Sequence, residues 1–87
     1  MIAPDAHPRI SALYRMQFEP TQDSWVLLYP EGLVKLNAPA SEILKRCDGK
    51  TTVADLTEDL QRAFNEPDLR ADVGEFLGDA YERGWIV

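Results

Sequence analysis

Between Leu36 and Val53 the chain reads LNAPASEILKRCDGKTTV, and within that stretch a strand must end, a helix must start and stop, and a second helix must start. Asn37 or Ala38 suits the N-cap, and Pro39 fits the first helical turn, where its missing N–H costs little. Ala40, Ile43, Leu44 and Cys47 then fall on one helical face. Asp48-Gly49 stops the helix, because glycine readily takes the left-handed conformation that helix C-termini use. Thr52 caps the next helix, with Asp55 three residues on, a capping box with Asp in place of Glu.

The flanks complete the pattern. Tyr14, Met16 and Phe18 alternate with Arg15 and Gln17, as in a half-buried strand. After the polar turn Glu19 to Ser24, the unbroken apolar run Trp25 to Tyr29 reads as a strand covered on both faces. Pro30-Glu31-Gly32 is a tight turn, and Leu33, Val34, Lys35 and Leu36 form a short third strand. The helices follow: about Pro39 to Cys47, then one from near Val53 with Val53, Leu56, Leu60, Ala63 and Phe64 on its inner face. After Asn65-Glu66-Pro67, Asp68 caps a third helix with a stripe of Leu69, Val73, Phe76, Leu77, Ala80 and Tyr81, ended by Gly84. Trp85-Ile86-Val87 is expected to fold back on the core. The layout is α+β, a three-stranded antiparallel meander followed by three helices. Residues 1–9, with Pro4 and Pro8 and no periodicity, read as a flexible tail, either disordered or docked on a neighbour, and residues 10–87 as a single domain.

Composition narrows the function. A hydrophobic content of 45 % in 87 residues describes a folded domain with a small core. A net charge of −6 disfavours a phosphate backbone or an anionic membrane as partner, and favours a neutral or basic peptide or protein surface. Cys47 is the only cysteine and His7 the only histidine, so neither an internal disulfide nor a Cys/His zinc site can form. Free cysteine is among the most buried residue types, so Cys47 reads as a core position on the first helix rather than a nucleophile. No secretory segment or membrane span is visible, which places the expected location in the cytoplasm.

No constellation for catalysis emerges. Asp55 with Glu58, Asp72 with Glu75, and Glu75 with Asp79 are helix pairs opposite the apolar stripes, which describes a solvated face rather than an acid and base with shifted pKa values. There is no glycine-rich phosphate loop, no Ser/His/Asp set and no metal cluster. The expectation is a binding module without a cofactor. Three helices and a small sheet could build a winged helix-turn-helix that reads DNA, but Asp72, Glu75, Asp79 and Glu82 on the third helix would repel phosphates. Alternatively the third strand is a sheet edge that accepts an extended peptide, unless Lys35 and its shortness blunt it. Gly74 and Gly78, four apart on the third helix, signal either close approach of another chain or tolerated surface glycines.

Leu27-Leu28-Tyr29-Pro30-Glu31-Gly32, Leu36-Asn37, Glu42-Ile43-Leu44, Cys47-Asp48-Gly49 and Thr52-Val53 together resemble the PqqD family of pyrroloquinoline quinone (PQQ) biosynthesis. Asp72-Val73, Phe76-Leu77 and Gly84 extend the resemblance over nearly the whole chain, from about Pro8 to Val87. It implies a small winged-helix-like domain and a non-catalytic peptide chaperone. Such a protein binds the ribosomal precursor peptide PqqA and presents it to the radical S-adenosylmethionine enzyme PqqE. It also implies strand addition to the third strand, with the peptide lying along the third helix. Carried onto this chain, the peptide-binding residues are Leu33, Val34, Lys35 and Leu36, with Asp72, Val73, Phe76, Asp79 and Ala80. Asp23 stands where relatives are expected to carry a basic residue, and Ala80 where a larger apolar one is expected. Leu36→Asp and Phe76→Asp should then weaken peptide binding, as should Val34→Pro if the Val34 N–H points to the edge. Recognition of another modified peptide, and a monomer or a homodimer, all remain compatible with the sequence.

Overall fold

A computed structural model describes residues 2–87. Strands β1 (Arg15–Glu19), β2 (Ser24–Tyr29) and β3 (Gly32–Lys35) form an antiparallel sheet in the order β1-β2-β3, followed by helices α1 (Ala38–Lys45), α2 (Val53–Ala63) and α3 (Arg70–Glu82). The α+β meander-and-three-helix layout is the one expected, with ends shifted by a residue or two.

Pairing places Met16 opposite Leu27 and Leu27 opposite Val34, so these side chains share the face that meets the helices. Leu27 is fully buried among Leu44, Leu56, Val73, Leu77 and Ile86. Val26 points the other way and is also 0 % exposed, between its ladder neighbours Gln17 and Lys35. The centre of β2 is thus covered on both sides, as its unbroken apolar run implies.

The helix–corner–helix segment is held by local bonds. Asn37 Oδ1 accepts from Ala40 N–H at 2.8 Å, and the Asn37 carbonyl accepts from Ser41 N–H at 3.0 Å. After α1, Asp48 Oδ1 accepts from both Lys50 N–H and Thr51 N–H at 2.8 Å. Gly49 takes φ +78°, and a Cβ there would stand 3.2 Å from Arg9 Cβ, so both conformation and space call for glycine. Thr52 Oγ1 accepts from Asp55 N–H at 3.0 Å, the expected cap. Arg46 ties the two helices together, donating to Asp59 at 2.6 Å on α2 and to Glu42 at 3.1 Å on α1. These donors hold both carboxyls below their ordinary values, Asp59 chiefly through Arg46 and Glu42 through Lys45 and then Arg46. Cys47 is buried, as expected; burial, with the Asp48 charge second, pushes its thiol up to about 12.

Three expectations are corrected. The segment read as a flexible tail is docked from Ile2 onward; Met1 lies outside the described residues. Ala54 N–H donates to Pro4 C=O at 2.9 Å, Val53 N–H to Ala6 C=O at 3.0 Å, and Gly49 N–H to Pro8 C=O at 2.9 Å. The reason is the helix start: the first N–H groups of α2 have no partner inside the helix, and this segment supplies carbonyls to them. Arg9 and Val87 then exchange backbone bonds at 3.1 and 2.8 Å, tying the segment to Trp85-Ile86-Val87, whose Ile86 is buried as expected. Secondly, Ala63, Phe64 and Tyr81 leave the expected stripes and are exposed, Phe64 at 50 % and Tyr81 at 51 %. Phe64 sits at the C-cap of α2 with φ −110°, where the helical direction no longer holds its side chain inward. Thirdly, α3 starts one residue later than expected. Leu69 occupies its N-cap, the Leu69 N–H is taken by Gln61 Oε1 of α2 at 2.9 Å, and Asp68 accepts from Arg70 N–H instead. No helix among the described residues is long and apolar enough to cross a membrane.

Candidate functional site

β3 is the last strand of the sheet, so one of its sides has no strand partner among the described residues. Which of its groups face that side follows from one bond: Leu36 N–H donates to Trp25 C=O at 2.9 Å. Bonded and non-bonded pairs alternate along an antiparallel ladder. With Val26 opposite Lys35, the bonded pairs are Trp25 with Leu36, Leu27 with Val34, and Tyr29 with Gly32. Leu33 and Lys35 therefore turn their N–H and C=O groups to the open edge. The condition attached to Val34→Pro is therefore not met: the Val34 N–H belongs to the β2 ladder, and proline there would remove a bond inside the sheet.

Beside the edge runs a groove of about 580 Å³. One wall is Val34, Lys35, Leu36 and Asn37, with Ala40 of α1 beyond it. The opposite wall is Phe76, Asp79 and Arg83 of α3. Tyr14, Tyr29 and Trp85 complete the lining. The two tyrosine rings lie 5.5 Å apart, and the Arg83 guanidinium stands 5.5 Å from the Trp85 ring. Arg83 Nε also donates to Asp79 Oδ2 at 2.9 Å, so this wall presents a neutralised pair rather than a bare carboxylate. The surface mixes aromatic and aliphatic side chains with Lys35, Asn37 and the Asp79–Arg83 pair, and a strand edge runs along one rim. Such a surface suits an extended peptide, whose main chain pairs with the edge while alternate side chains enter the groove. Among the described residues no three His, Cys, Asp or Glu side chains gather where they could hold a metal ion.

Of the residues assigned from sequence, Val34, Lys35, Leu36, Phe76 and Asp79 come together in this groove. Leu33 reaches the site through its main chain; its side chain shares the outer sheet face with Lys35 and is 41 % exposed. Val73 and Ala80 do not line the groove but lie in the core at 2 % and 0 % exposure. The helical period explains the correction: residues 73, 77 and 80 point inward, whereas 76, 79 and 83 face the groove. Asp72 is exposed and lies outside the lining. Leu36 is 6 % exposed and part of the core, so Leu36→Asp would test folding before binding.

Sequence reasoning missed Tyr14, Tyr29, Asn37, Ala40, Arg83 and Trp85 as groove residues. A signal existed for three of them. Tyr14 and Tyr29 have the same parity as Met16 and Leu27, so they share the inner sheet face at the end where the core runs out. Arg83 follows Phe76 by seven residues, two helical turns along the same flank. Trp85 depends on Gly84, whose φ of +78° turns the chain back after α3.

The family model for coenzyme PQQ synthesis protein D (PqqD) matches residues 24–86, most of the chain. The chain belongs to the PqqD family. Its relatives there include the PqqA binding protein of Pseudomonas aeruginosa, 47 % identical over 94 % of this chain and 90 % of that protein. The PqqA binding protein of Methylococcus capsulatus is 39 % identical over 98 % of this chain and 91 % of that protein. A solution NMR structure of the PqqD truncation of Methylobacterium extorquens PqqCD superimposes with a TM-score of 0.75 at 26 % identity, covering 92 % of this chain and 87 % of that one. That PqqD truncation is described as a functional, stand-alone recognition element for ribosomally synthesized and post-translationally modified peptides. The family resemblance read from the Leu-Asn, Ile-Leu and Cys-Asp-Gly motifs is thus confirmed, together with the fold it implied.

Proposed function

We propose that this chain is a non-catalytic peptide chaperone of PQQ biosynthesis in the cytoplasm, which holds the precursor peptide PqqA as an added strand on β3 and presents it to the radical S-adenosylmethionine enzyme PqqE. The observation that carries the site is the pair of outward main-chain groups at Leu33 and Lys35 beside the aromatic groove of Tyr14, Tyr29, Phe76 and Trp85. The relatives named PqqA binding protein supply the ligand. Strand addition gives affinity through main-chain bonds, and the groove reads the peptide side chains that point inward. Asp72 lies off this path. Asp79 is tied to Arg83, so any ion pair with a basic peptide residue would compete with an existing one and contribute little.

Titrating PqqA into the isotope-labelled protein tests the reading. The expected result is amide shifts concentrated on Leu33 to Leu36 and on the Phe76 flank of α3, with Leu33 and Lys35 amides newly protected from exchange. Shifts confined to other surfaces would overturn strand addition. Absence of any shift, alone and with PqqE added, would overturn the peptide assignment.

A further inference from the structure

A second hollow, larger than the groove beside β3, lies on the other flank of α3. It is a groove of about 1260 Å³ between α2, α3 and the docked N-terminal segment. Its small-residue lining comes from Ala54 and Thr57 on one helix and Ala71, Gly74 and Gly78 on the other. A Cβ added at Gly74 or Gly78 would meet nothing within 4 Å, so no packing inside this chain requires either glycine. Both lower helix stability and both open the groove floor. The lining carries five carboxylates; Asp68 is held by Arg70 at 2.9 Å, Glu58 by Arg62 at 3.7 Å, and Asp79, which borders both grooves, by Arg83 at 2.9 Å. Glu75 and Glu82 make no salt bridge among the described residues.

We infer that this groove docks a basic amphipathic helix of a partner protein, at a site separate from the β3 edge. A helix fits where an extended segment does not. Beyond their first turns the main-chain groups of α2 and α3 along the groove are bonded within the helices, and the carbonyls of Pro4 and Ala6 are taken by α2, so an extended guest would find few main-chain partners. A helix brings its own bonds. A cylinder of about 10 Å diameter and about three turns fills a volume of this order. Small residues on two neighbouring helices let a third backbone approach closely, and Lys or Arg on the flanks of the guest would meet the unpaired Glu75 and Glu82. The same carboxylates repel nucleic acid and anionic lipid.

The inference does not rest on PqqA binding, and its test separates the two sites. The probe is a synthetic Ala/Leu/Lys amphipathic helix of about 16 residues, long enough to be helical alone; its Glu-for-Lys counterpart is the control. The Lys peptide is expected to shift the amides of Ala54, Ala71, Gly74 and Gly78, to weaken as salt rises, and to leave Leu33 and Lys35 unshifted. The Glu peptide is expected to bind at least tenfold more weakly. Gly74→Leu with Gly78→Leu raises helix propensity while filling the groove, and should weaken the Lys peptide at least tenfold with the β3 amides unchanged. Glu75→Lys with Glu82→Lys should do the same without adding bulk. Binding of the Lys peptide spread over the acidic surface, or affinity retained in both double variants, would overturn the inference.

Discussion

The corner between α1 and α2 and the edge formed by β3 and α3 are built on opposite terms. At the corner the described polar groups find partners nearby: Asn37, Asp48 and Thr52 take the free N–H groups, Pro4 and Ala6 take two more, and Arg46 bridges the helices. At the edge, Leu33 and Lys35 leave their main-chain groups open, and half-buried Tyr14, Tyr29, Phe76 and Trp85 line a hollow. The lesson is a division of labour within one small domain. A corner closed on itself supplies rigidity, and the unsatisfied edge it supports supplies binding. Changes at the corner should alter stability and leave ligand affinity alone, and changes at the edge should do the reverse.

The strongest way to break that division is from beneath it. Leu56 of α2 is fully buried under the corner, and Leu56→Ala should cost about 2–5 kcal/mol in chemical denaturation. Affinity for PqqA measured on the remaining folded fraction should stay unchanged. A paired proline test sharpens the edge. Val34→Pro removes a ladder donor and strands a β2 carbonyl, which should lower stability by about 1–3 kcal/mol. Lys35→Pro removes an outward donor, and should leave the unfolding midpoint nearly in place while weakening PqqA about tenfold, or about 1.4 kcal/mol, by calorimetry. The opposite ranking of the two prolines would show that the edge parity is wrong. Thr52→Ala deletes one cap and should cost about 1 kcal/mol with PqqA affinity unaltered.

The smallest effect concerns pH. Hydrogen bonds from Arg70, first from its side chain and then from its N–H, pull the exposed Asp68 carboxyl from its ordinary 3.8 down to about 2. Because the folded value is the lower one, the stabilisation is present above pH 3.8 and fades as the pH falls toward 2. A carboxyl-detected NMR titration should place the Asp68 midpoint near 2, and Arg70→Gln should return it toward 3.8.

Most of the fold was legible because its signals are local. Asn37, Gly49 and Thr52 act on neighbours within a few residues, Leu27 announces burial through an unbroken apolar run, and Leu56 and Leu77 through the helical period of 3.6. The family motifs sit in the same local segments. The N-terminal segment was misread for the complementary reason: Pro4, Ala6 and Pro8 carry no periodic pattern, and their carbonyls acquire a role only because α2 begins beside them in space. The candidate site was legible in outline, since strand order points to β3 as an edge and the family resemblance points to α3. Its detail was not. Whether Val34 or Lys35 faces the open edge depends on the phase of the β2–β3 ladder, set by the Leu36–Trp25 bond. That Val73 and Ala80 fall into the core while Asp79 and Arg83 face the groove depends on the rotation of α3 against the sheet. The amino-acid sequence determined which segments form strands and helices, because caps, turns and periodicity act over a few residues. Only the tertiary structure decided which groups those elements leave unpaired, because that depends on the phase and rotation at which distant elements meet.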